Sequence, residues 1–510
     1  MLELYKSKLL QRGITHSLLK GNALLLSKTS NNLCQRRLRS DIYKSNINTK
    51  LVLTSPLNNV TFKREFTRGL KDGIIGEKNK EMWKEYRAID PRIIRPIDGN
   101  EFFLTTCYNH ITDVLPRISA EEFKKRVEEN FSRIELFNLA LKKINGHYFF
   151  IHRPFKINIE EEECTEDKEL DYYSENGKEY IIPWEPIKEK YIKDVNDKDV
   201  KLLYHFKIWQ LKKTNQTRIK FSLSHMISDG RSVFALMDCI RRIVNGETIE
   251  SNDEKLTNFG GVDRFKNLDE SFFRPPNVWS EIPNFPVLPK SESGPPYQYV
   301  TSYITLDYEP VKKFISESGF SLQVMITTMT ARAFRRFNNL PKETPLWNTT
   351  PCDARFSPYA TEEYKKRKYY CNVGGIYVKL IGQSSLMEDF KHCKAQLKKT
   401  VKTYDDVRQL VNCGFLIDPK TFKFVPNGRF PDQQTQCVIF SSNIGSTDGI
   451  IPFITATNNP YRYVLNVYSY NTNDKLFIML IRPLCLNKGL LNCLFEEMNK
   501  IFIPENISKY

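Results

Sequence analysis

The stretch SHMISDG (Ser224–Gly230) lies near the middle of the chain, between a predicted strand and a predicted helix. The preceding RIKFSLSH alternates, so that three apolar residues share one strand face with His225. The following SVFALMDCIRRIVNG repeats its apolar residues at helical spacing, and Gly246 is a typical helix stop. His225 therefore ends an apolar stripe at a strand-to-helix turn, where low solvent access favours the neutral imidazole that a general base needs.

Spacing alone favours structural interpretations of this stretch. A single histidine at a strand end is more often a satisfied core or surface residue than a catalyst. Asp229 before a helix is most simply an N-cap. The Asp-Gly pair is most simply a turn, in which Gly230 adopts a positive φ. The rest of the chain has to decide between these interpretations and a catalytic one.

Length and composition indicate a globular protein. The chain has 510 residues, of which 40% are hydrophobic and 12% aromatic, enough for two or more domains or one two-lobed unit. Long apolar runs such as LFIMLI (Leu476–Ile481) have the length of a strand, and a membrane-spanning helix needs roughly 20 apolar residues. We therefore expect no transmembrane segment. The sequence leaves peripheral contact with a membrane or lipid droplet open.

The net charge of +16 is concentrated at the N-terminus. Residues 1–70 hold thirteen Lys/Arg and three Asp/Glu, so the remaining residues carry only +6. No zinc-finger spacing, Arg-rich helix or aromatic strand pair of an RNA-binding module is visible. We therefore expect no nucleic-acid partner, and a modestly basic groove for an anionic co-substrate fits the charge equally well.

The eleven cysteines form no CxxC pair, so we expect reduced thiols in an intracellular protein, no disulfide framework and no metal site. Residues 1–50 carry ten basic and two acidic residues with loosely spaced leucines and several serines. This resembles a mitochondrial presequence, but a basic surface arm explains it as well. The expected location is the cytoplasm, or the mitochondrion if the arm is a presequence.

The pattern of strands and helices divides the chain into two similar halves. We predict a basic, poorly structured extension over residues 1–90, a first lobe over 91–255, a Pro-rich crossover over 256–300 and a second lobe over 301–510. In the first lobe, Ser119 and Glu122 form a predicted capping box. PIDGNEFFLTTCYNHI is interpreted as a strand with a following segment, and residues 156–200 as an acidic surface excursion. Each half mixes strands and helices, which predicts an α/β (α+β) protein.

Several motifs together resemble the chloramphenicol-acetyltransferase-like superfamily. HMISDG matches its HxxxDG signature, and the helix SAEEF lies about a hundred residues upstream. TPCDAR, the strand NVGGIYV and the loop SSNIG follow in the family's order. The resemblance covers roughly residues 95–505. It implies two lobes, each a mixed sheet with flanking helices, and an active site in a tunnel between them.

Within that superfamily the sequence is most similar to the alcohol O-acetyltransferase branch. It lacks the DFGWG element of the plant HxxxD enzymes, and Ser224-His225 replaces the tandem histidine of condensation domains. We expect no carrier-protein or adenylation domain to accompany it. The resemblance therefore favours stand-alone acyl transfer over peptide assembly.

The resemblance assigns roles to several residues. His225 would be the general base that takes a proton from an alcohol hydroxyl (or an amine) attacking acyl-CoA, with acetyl-CoA as the expected co-substrate and no permanently bound cofactor. Asp229 would be a structural brace paired with Arg355, and Gly230 would permit the turn. Arg355 could equally be a surface arginine.

Two further sets of residues follow from the same resemblance. Ser442 and Asn443 in SSNIG, beside Ser441, are candidate oxyanion donors, although Ser and Asn after a strand more often cap or turn the chain. The basic run of Lys365, Lys366, Arg367 and Lys368 would contact the CoA phosphates, although such a run is usually a solvated loop.

Two alternatives to O-acylation stay open. The first is the same fold with N-acyl, long-chain or carrier-bound acyl transfer, and the second is a binding protein without turnover. We expect a monomer, since two lobes in one chain can complete the site.

Overall fold

The computed structural model describes residues 84–105, 107–164, 179–182, 187–250, 264–273, 299–414, 437–447, 451–456, 463–483 and 489–502. All of them belong to one compact unit, residues 69–510. The proposed presequence and nearly all of the basic extension lie outside the described residues, as does most of the Pro-rich crossover. Residues 84–89, at the end of the segment for which we expected little structure, are helical.

The first half of the chain alternates short strands with a few helices. Its elements are β1 (Ile93–Pro96), α1 (Gly99–Leu104), β2 (Tyr108–Pro116), α2 (Ala120–Phe131), β3 (Leu139–Ile144), β4 (His147–His152), β5 (Ile159–Cys164), β6 (Glu179–Ile182), α3 (Glu189–Ile192), β7 (Val200–Leu202), β8 (Tyr204–Leu211), β9 (Gln216–Ser224) and α4 (Gly230–Val244).

The second half has longer helices. Its elements are β10 (Tyr299–Asp307), α5 (Tyr308–Ser318), α6 (Leu322–Phe337), β11 (Leu346–Asp353), α7 (Glu362–Lys365), β12 (Val373–Leu380), α8 (Leu386–Lys402), α9 (Asp405–Gly414), β13 (Cys437–Ser446), β14 (Ile451–Ala456), β15 (Tyr463–Asn471), β16 (Lys475–Pro483) and α10 (Leu490–Phe502).

The described strands form three sheets, and two of these sheets exchange a strand between the halves. A five-stranded sheet has the order β14-β2-β9-β8-β5, so a strand from the second half completes the sheet that carries SHMISDG. A seven-stranded mixed sheet has the order β12-β11-β13-β15-β16-β10-β6 and includes β6 from the first half. A four-stranded sheet, β1-β4-β3-β7, stands beside them. The architecture is the mixed α/β class that we predicted.

The seven-stranded sheet is covered on both faces, which follows from the alternation of its strands. On β15, Leu465 and Val467 pack into the core beneath the second-half helices. On the opposite face of the same strand, Tyr468 and Tyr470 pack into the core of the first half. Strand β16 divides its apolar residues in the same way.

The strand and helix patterns hold locally. LLYHFKIWQL and TRIKFSLSH alternate around the turn-like KKTNQ, which predicts a hairpin, and they form the antiparallel pair β8–β9. Of the predicted capping box, the Ser119 half is present, since its side chain accepts a hydrogen bond from the Glu122 amide. The Glu122 carboxylate does not complete the box but pairs with Arg126 on the next turn, 2.6 Å away.

Two local predictions lacked an element. Pro96–Ile111, interpreted as a strand with a following segment, contains helix α1 between β1 and β2, and the capping box of α1 joins Asp98 and Glu101. The acidic surface excursion contains the edge strand β5, which pairs in parallel with β8 through its backbone. Among the described helices, none combines the length and the apolar content needed to cross a bilayer.

Candidate active site

His225 lies directly after β9, where the strand ends and the chain turns towards α4. Its amide donates to the Cys107 carbonyl at 2.8 Å, which fixes the backbone against the start of β2. The side chain is half-buried, and its Nδ1 lies 3.6 Å from the Cys371 sulfur. Burial lowers the pKa of His225 below 6.5, so the neutral imidazole is favoured.

Asp229 turns away from His225 and organises the start of α4. Its Oδ1 accepts hydrogen bonds from the Ser232 amide at 2.8 Å and the Ser232 hydroxyl at 2.7 Å. Its Oδ2 accepts from the Asn372 amide at 3.1 Å. The carboxylate is buried and caps the helix, so all of these contacts hold the turn in shape.

Arg355 is buried and lies beside Asp229, with 3.8 Å between Nη2 and Oδ2. Its hydrogen bonds go elsewhere. Nε and Nη2 form a bidentate pair with Asp353 at 2.8 and 2.6 Å, and Nη1 donates to the Arg367 carbonyl at 2.8 Å. Asp353 is thus the carboxylate that hydrogen-bonds with Arg355, while Asp229 forms a longer ion pair with the same guanidinium.

Gly230 does not have the positive φ that we expected. It is the first residue of α4, and its missing side chain makes room for the SSNIG segment. A Cβ at this position would lie 3.1 Å from Cγ2 of Ile444. The glycine therefore brings the end of β13 into contact with the motif, which is a different role from permitting a turn.

The SSNIG residues differ in what their side chains contact. Ser441 is fully buried, and its hydroxyl bonds with Gln323 and Thr327 at 2.9 Å each. Asn443 is exposed, and its side-chain oxygen accepts from the Gly445 amide at 3.2 Å. Ser442 is half-buried between them. Gln323, which also accepts from the Asn443 amide at 3.1 Å, supports this segment and was not foreseen.

A cavity of about 580 Å³ opens beside the N-terminal end of α4. Five of its lining side chains are cationic. They include Lys365, Arg367 and Lys368 from the predicted set, while Lys366 is not among the lining residues. The other lining residues are Arg231, Ala235, Arg355, Phe356 and Tyr369. Phe356 is 76% exposed at this place, with Arg231 5.7 Å from its ring centroid.

The sequence interpretation missed Tyr370, Cys371 and Asn372, which precede β12 and reach the motif from the second half. The residues that they contact, within 225–232, lie about 140 positions earlier in the sequence. No local sequence pattern could therefore predict these contacts. The available signal was the NVGGIYV segment, which begins at Asn372 and directly follows Tyr370 and Cys371.

No family model matches the sequence, and no curated protein matches it either. Solved structures share its fold. Polyketide synthase associated protein 5 from Mycobacterium tuberculosis is 12% identical, with a TM-score of 0.55 over 81% of this chain and 98% of its own. The condensation domain of the monacolin K polyketide synthase is 8% identical, with a TM-score of 0.52 over 81% and 97%. The epimerization domain from the third module of tyrocidine synthetase B is 9% identical, with a TM-score of 0.52 over 79% and 93%. The chain therefore has the two-lobed, condensation-domain type of fold.

Proposed function

We propose that this protein is an acyl-CoA-dependent O-acyltransferase that makes an ester from an alcohol, with His225 as the general base. The observation that carries the proposal is the half-buried, neutral imidazole at the end of β9, next to a turn that Asp229 holds rigid. The fold adds weight, because the solved structures that share it come from condensation and polyketide-associated proteins.

In this mechanism Nε2 of His225 removes the proton of the alcohol hydroxyl as its oxygen attacks the thioester carbonyl. The new C–O bond gives a tetrahedral oxyanion, and the C–S bond then breaks. The imidazolium returns its proton to the departing CoA thiolate, so the base is regenerated. No acyl-enzyme is required. Ser442, which is half-buried on the segment that packs against Gly230, is the better candidate for the oxyanion donor. Asn443 is more exposed, and its donor would be the side-chain NH2, since its oxygen accepts from the Gly445 amide.

The cationic cavity supports CoA as the carrier of the acyl group. Guanidinium and ammonium groups bind phosphates through charge-assisted hydrogen bonds. Arg231 extends the predicted set of phosphate contacts, and the exposed ring of Phe356 offers a surface on which an adenine can stack.

The test uses the purified full chain with acetyl-CoA, a panel of alcohols and a thiol reagent, and mass spectrometry identifies the ester. We expect His225→Ala to release CoA about 100-fold or more slowly, the usual contribution of a general base. His392→Ala is the matched control, since this half-buried histidine lines a separate cavity of about 350 Å³. If His225→Ala released CoA at the wild-type rate, the assigned role of this residue would be wrong.

The same assay separates the alternatives. Amines in place of alcohols test N-acylation, a series of acyl-CoA chain lengths tests long-chain transfer, and phosphopantetheine-bound donors test carrier dependence. Turnover with a carrier-bound donor and none with any CoA thioester would replace the proposal by a condensation-like activity. Absence of turnover with every donor would favour a binding protein.

A further inference from the structure

The residue Tyr370 adopts an unusual backbone conformation directly beside the motif. Its φ is +103°, a region that side-chain-bearing residues rarely enter. Such a conformation is energetically unfavourable and persists only where the surroundings impose it. Here the Tyr370 carbonyl accepts from the Ser232 hydroxyl at 2.9 Å, and its backbone bridges to Ser228. The strained residue is thus tied to both ends of the Asp229 turn.

The side chain of Tyr370 is anchored in a buried ionic cluster from the first half. Its hydroxyl donates to Glu101 and accepts from Arg95 Nη2 at 2.8 Å. Arg95 and Glu101 also pair with each other at 2.6 Å, and each is 2% exposed. The guanidinium of Arg264 lies 5.4 Å from the Tyr370 ring centroid. These contacts hold the ring in one place and make the backbone conformation of Tyr370 stable.

The two residues that follow Tyr370 contact the motif itself. The Asn372 amide donates to Asp229 at 3.1 Å, and the Cys371 sulfur lies 3.6 Å from Nδ1 of His225. A histidine that acts as a base through Nε2 must carry its proton on Nδ1, and the partner of Nδ1 selects that tautomer. Cys371 is buried and brings its sulfur to Nδ1. Burial lowers the pKa of His225, and hydrogen bonds from the ring to the backbone at His225 and Ser228 act in the opposite direction, so these carbonyls are the other groups that contact the imidazole.

We propose that Tyr370–Asn372 is the positioning element of the catalytic histidine. The Cys371 sulfur accepts the Nδ1–H of His225 and leaves Nε2 free, while the anchored Tyr370 keeps the sulfur in place. This inference rests on the proposed role of His225 as base. Cys371 neither gains nor loses a proton in the reaction, because the proton taken by Nε2 is returned to the leaving thiolate.

The neutral state of the sulfur is part of this role. Burial raises the pKa of the Cys371 thiol to about 12, so it brings no negative charge to the imidazole. The charged group that acts on His225 is Asp229, on the turn of the motif itself, and its negative charge opposes the effect of burial on the pKa of His225. From the segment before β2, the Cys107 carbonyl accepts the hydrogen bond of the His225 amide. A carboxylate in place of Cys371 would stabilise the imidazolium, raise the pKa of His225 and so lower the unprotonated fraction at a given pH.

The first experiment measures the tautomer and the pKa of His225 in the absence of substrate. NMR of imidazole-labelled full-length protein reports the tautomer and pKa of each of the seven histidines, and His225→Gln assigns the signal. We expect Cys371→Asp to raise the pKa of His225 by one unit or more. Cys371→Ser should keep the proton on Nδ1, and Cys371→Ala should give a mixture of tautomers. Cys393→Ala is the matched control, because this thiol is equally buried in the second core and its pKa is also about 12.

The second experiment adds turnover. Cys371→Ala and Tyr370→Phe, which removes the contacts with Glu101 and Arg95, should each lower kcat about tenfold with the KM for acyl-CoA unchanged. Cys371→Ser should restore most of the loss. An unchanged tautomer and pKa of His225 in all Cys371 variants would overturn the inference. If the wild type transfers no acyl group, the proposed function fails, and the NMR result still decides whether Cys371 positions His225.

Discussion

The protonation of His225 sets the pH range in which this site can act as a base. Burial lowers the pKa of His225 below 6.5, so the unprotonated imidazole persists to lower pH than for a solvent-exposed histidine. As the pH falls, activity should be lost only when it passes through that lowered pKa. We predict that kcat/KM for CoA release has an acid limb with its midpoint below pH 6.5. A midpoint at or above 6.5 in the wild type would contradict the prediction.

Single residues also show how far sequence reasoning reaches. The strand end, the helix start and the Asp-Gly pair located the turn and predicted an N-cap at Asp229, whereas the roles of His225 as base and of Asp229 as brace came from the family resemblance of HMISDG. The residues that contact Asp229 were less accessible, because Asn372 reaches it across 143 positions. The reason for Gly230 was also missed, because the side chain that needs the space, Ile444, belongs to the opposite half.

At the scale of elements, the pair Gly374-Gly375 explains how α9 packs on β12. A Cβ on Gly374 would overlap the main-chain carbonyl of Asp406, whereas a Cβ on Gly375 would meet the side chain of Gln409. A side chain can move aside more cheaply than a helix backbone. We predict that Gly374→Ala destabilises the protein by about 1–3 kcal/mol and that Gly375→Ala costs less. Thermal unfolding of both variants measures this, and a reversed order would exclude the explanation.

The basic loop after α7 provides a second element-scale prediction. Lys365 and Lys368 line the cavity beside α4. Replacing both with alanine should raise the KM for acetyl-CoA about tenfold and leave that for acetyl-pantetheine unchanged, since pantetheine lacks the nucleotide phosphates. Lys399→Ala, in the separate cavity, is the control. Equal effects on the two donors would mean that the lysines do not contact those phosphates.

Elements with clear periodicity were predictable, and elements without it were not. The strands β8 and β9 alternate, and α2 and α8 repeat at helical spacing. Strand β5 is the contrary case, because IEEEEC offers no apolar alternation. It is a strand because its backbone pairs with β8. The buried Glu160 is tolerated there because its carboxylate forms an ion pair with Lys188, 2.7 Å away. Neither partner is visible from the segment itself.

For the whole molecule, the exchanged strands make each half depend on the other. Without β14 the five-stranded sheet would expose the edge of β2, and without β6 the seven-stranded sheet would expose β10. Exposed strand edges promote aggregation. We predict that residues 84–255 and 299–510 are insoluble when expressed separately and co-purify when expressed together. Two soluble, separately folded halves would show that the exchanged strands are dispensable.

The pairing of β14 with β2 also has a consequence for the chain as it leaves the ribosome. Strand β2 ends at Pro116, and its partner begins at Ile451. At a synthesis rate of about 5–20 residues per second, the partner appears roughly 20 to 70 seconds later. During that interval a nascent chain holds an open strand edge beside an already translated core, so we expect this protein to rely on co-translational chaperones more than a fold completed by neighbouring strands would.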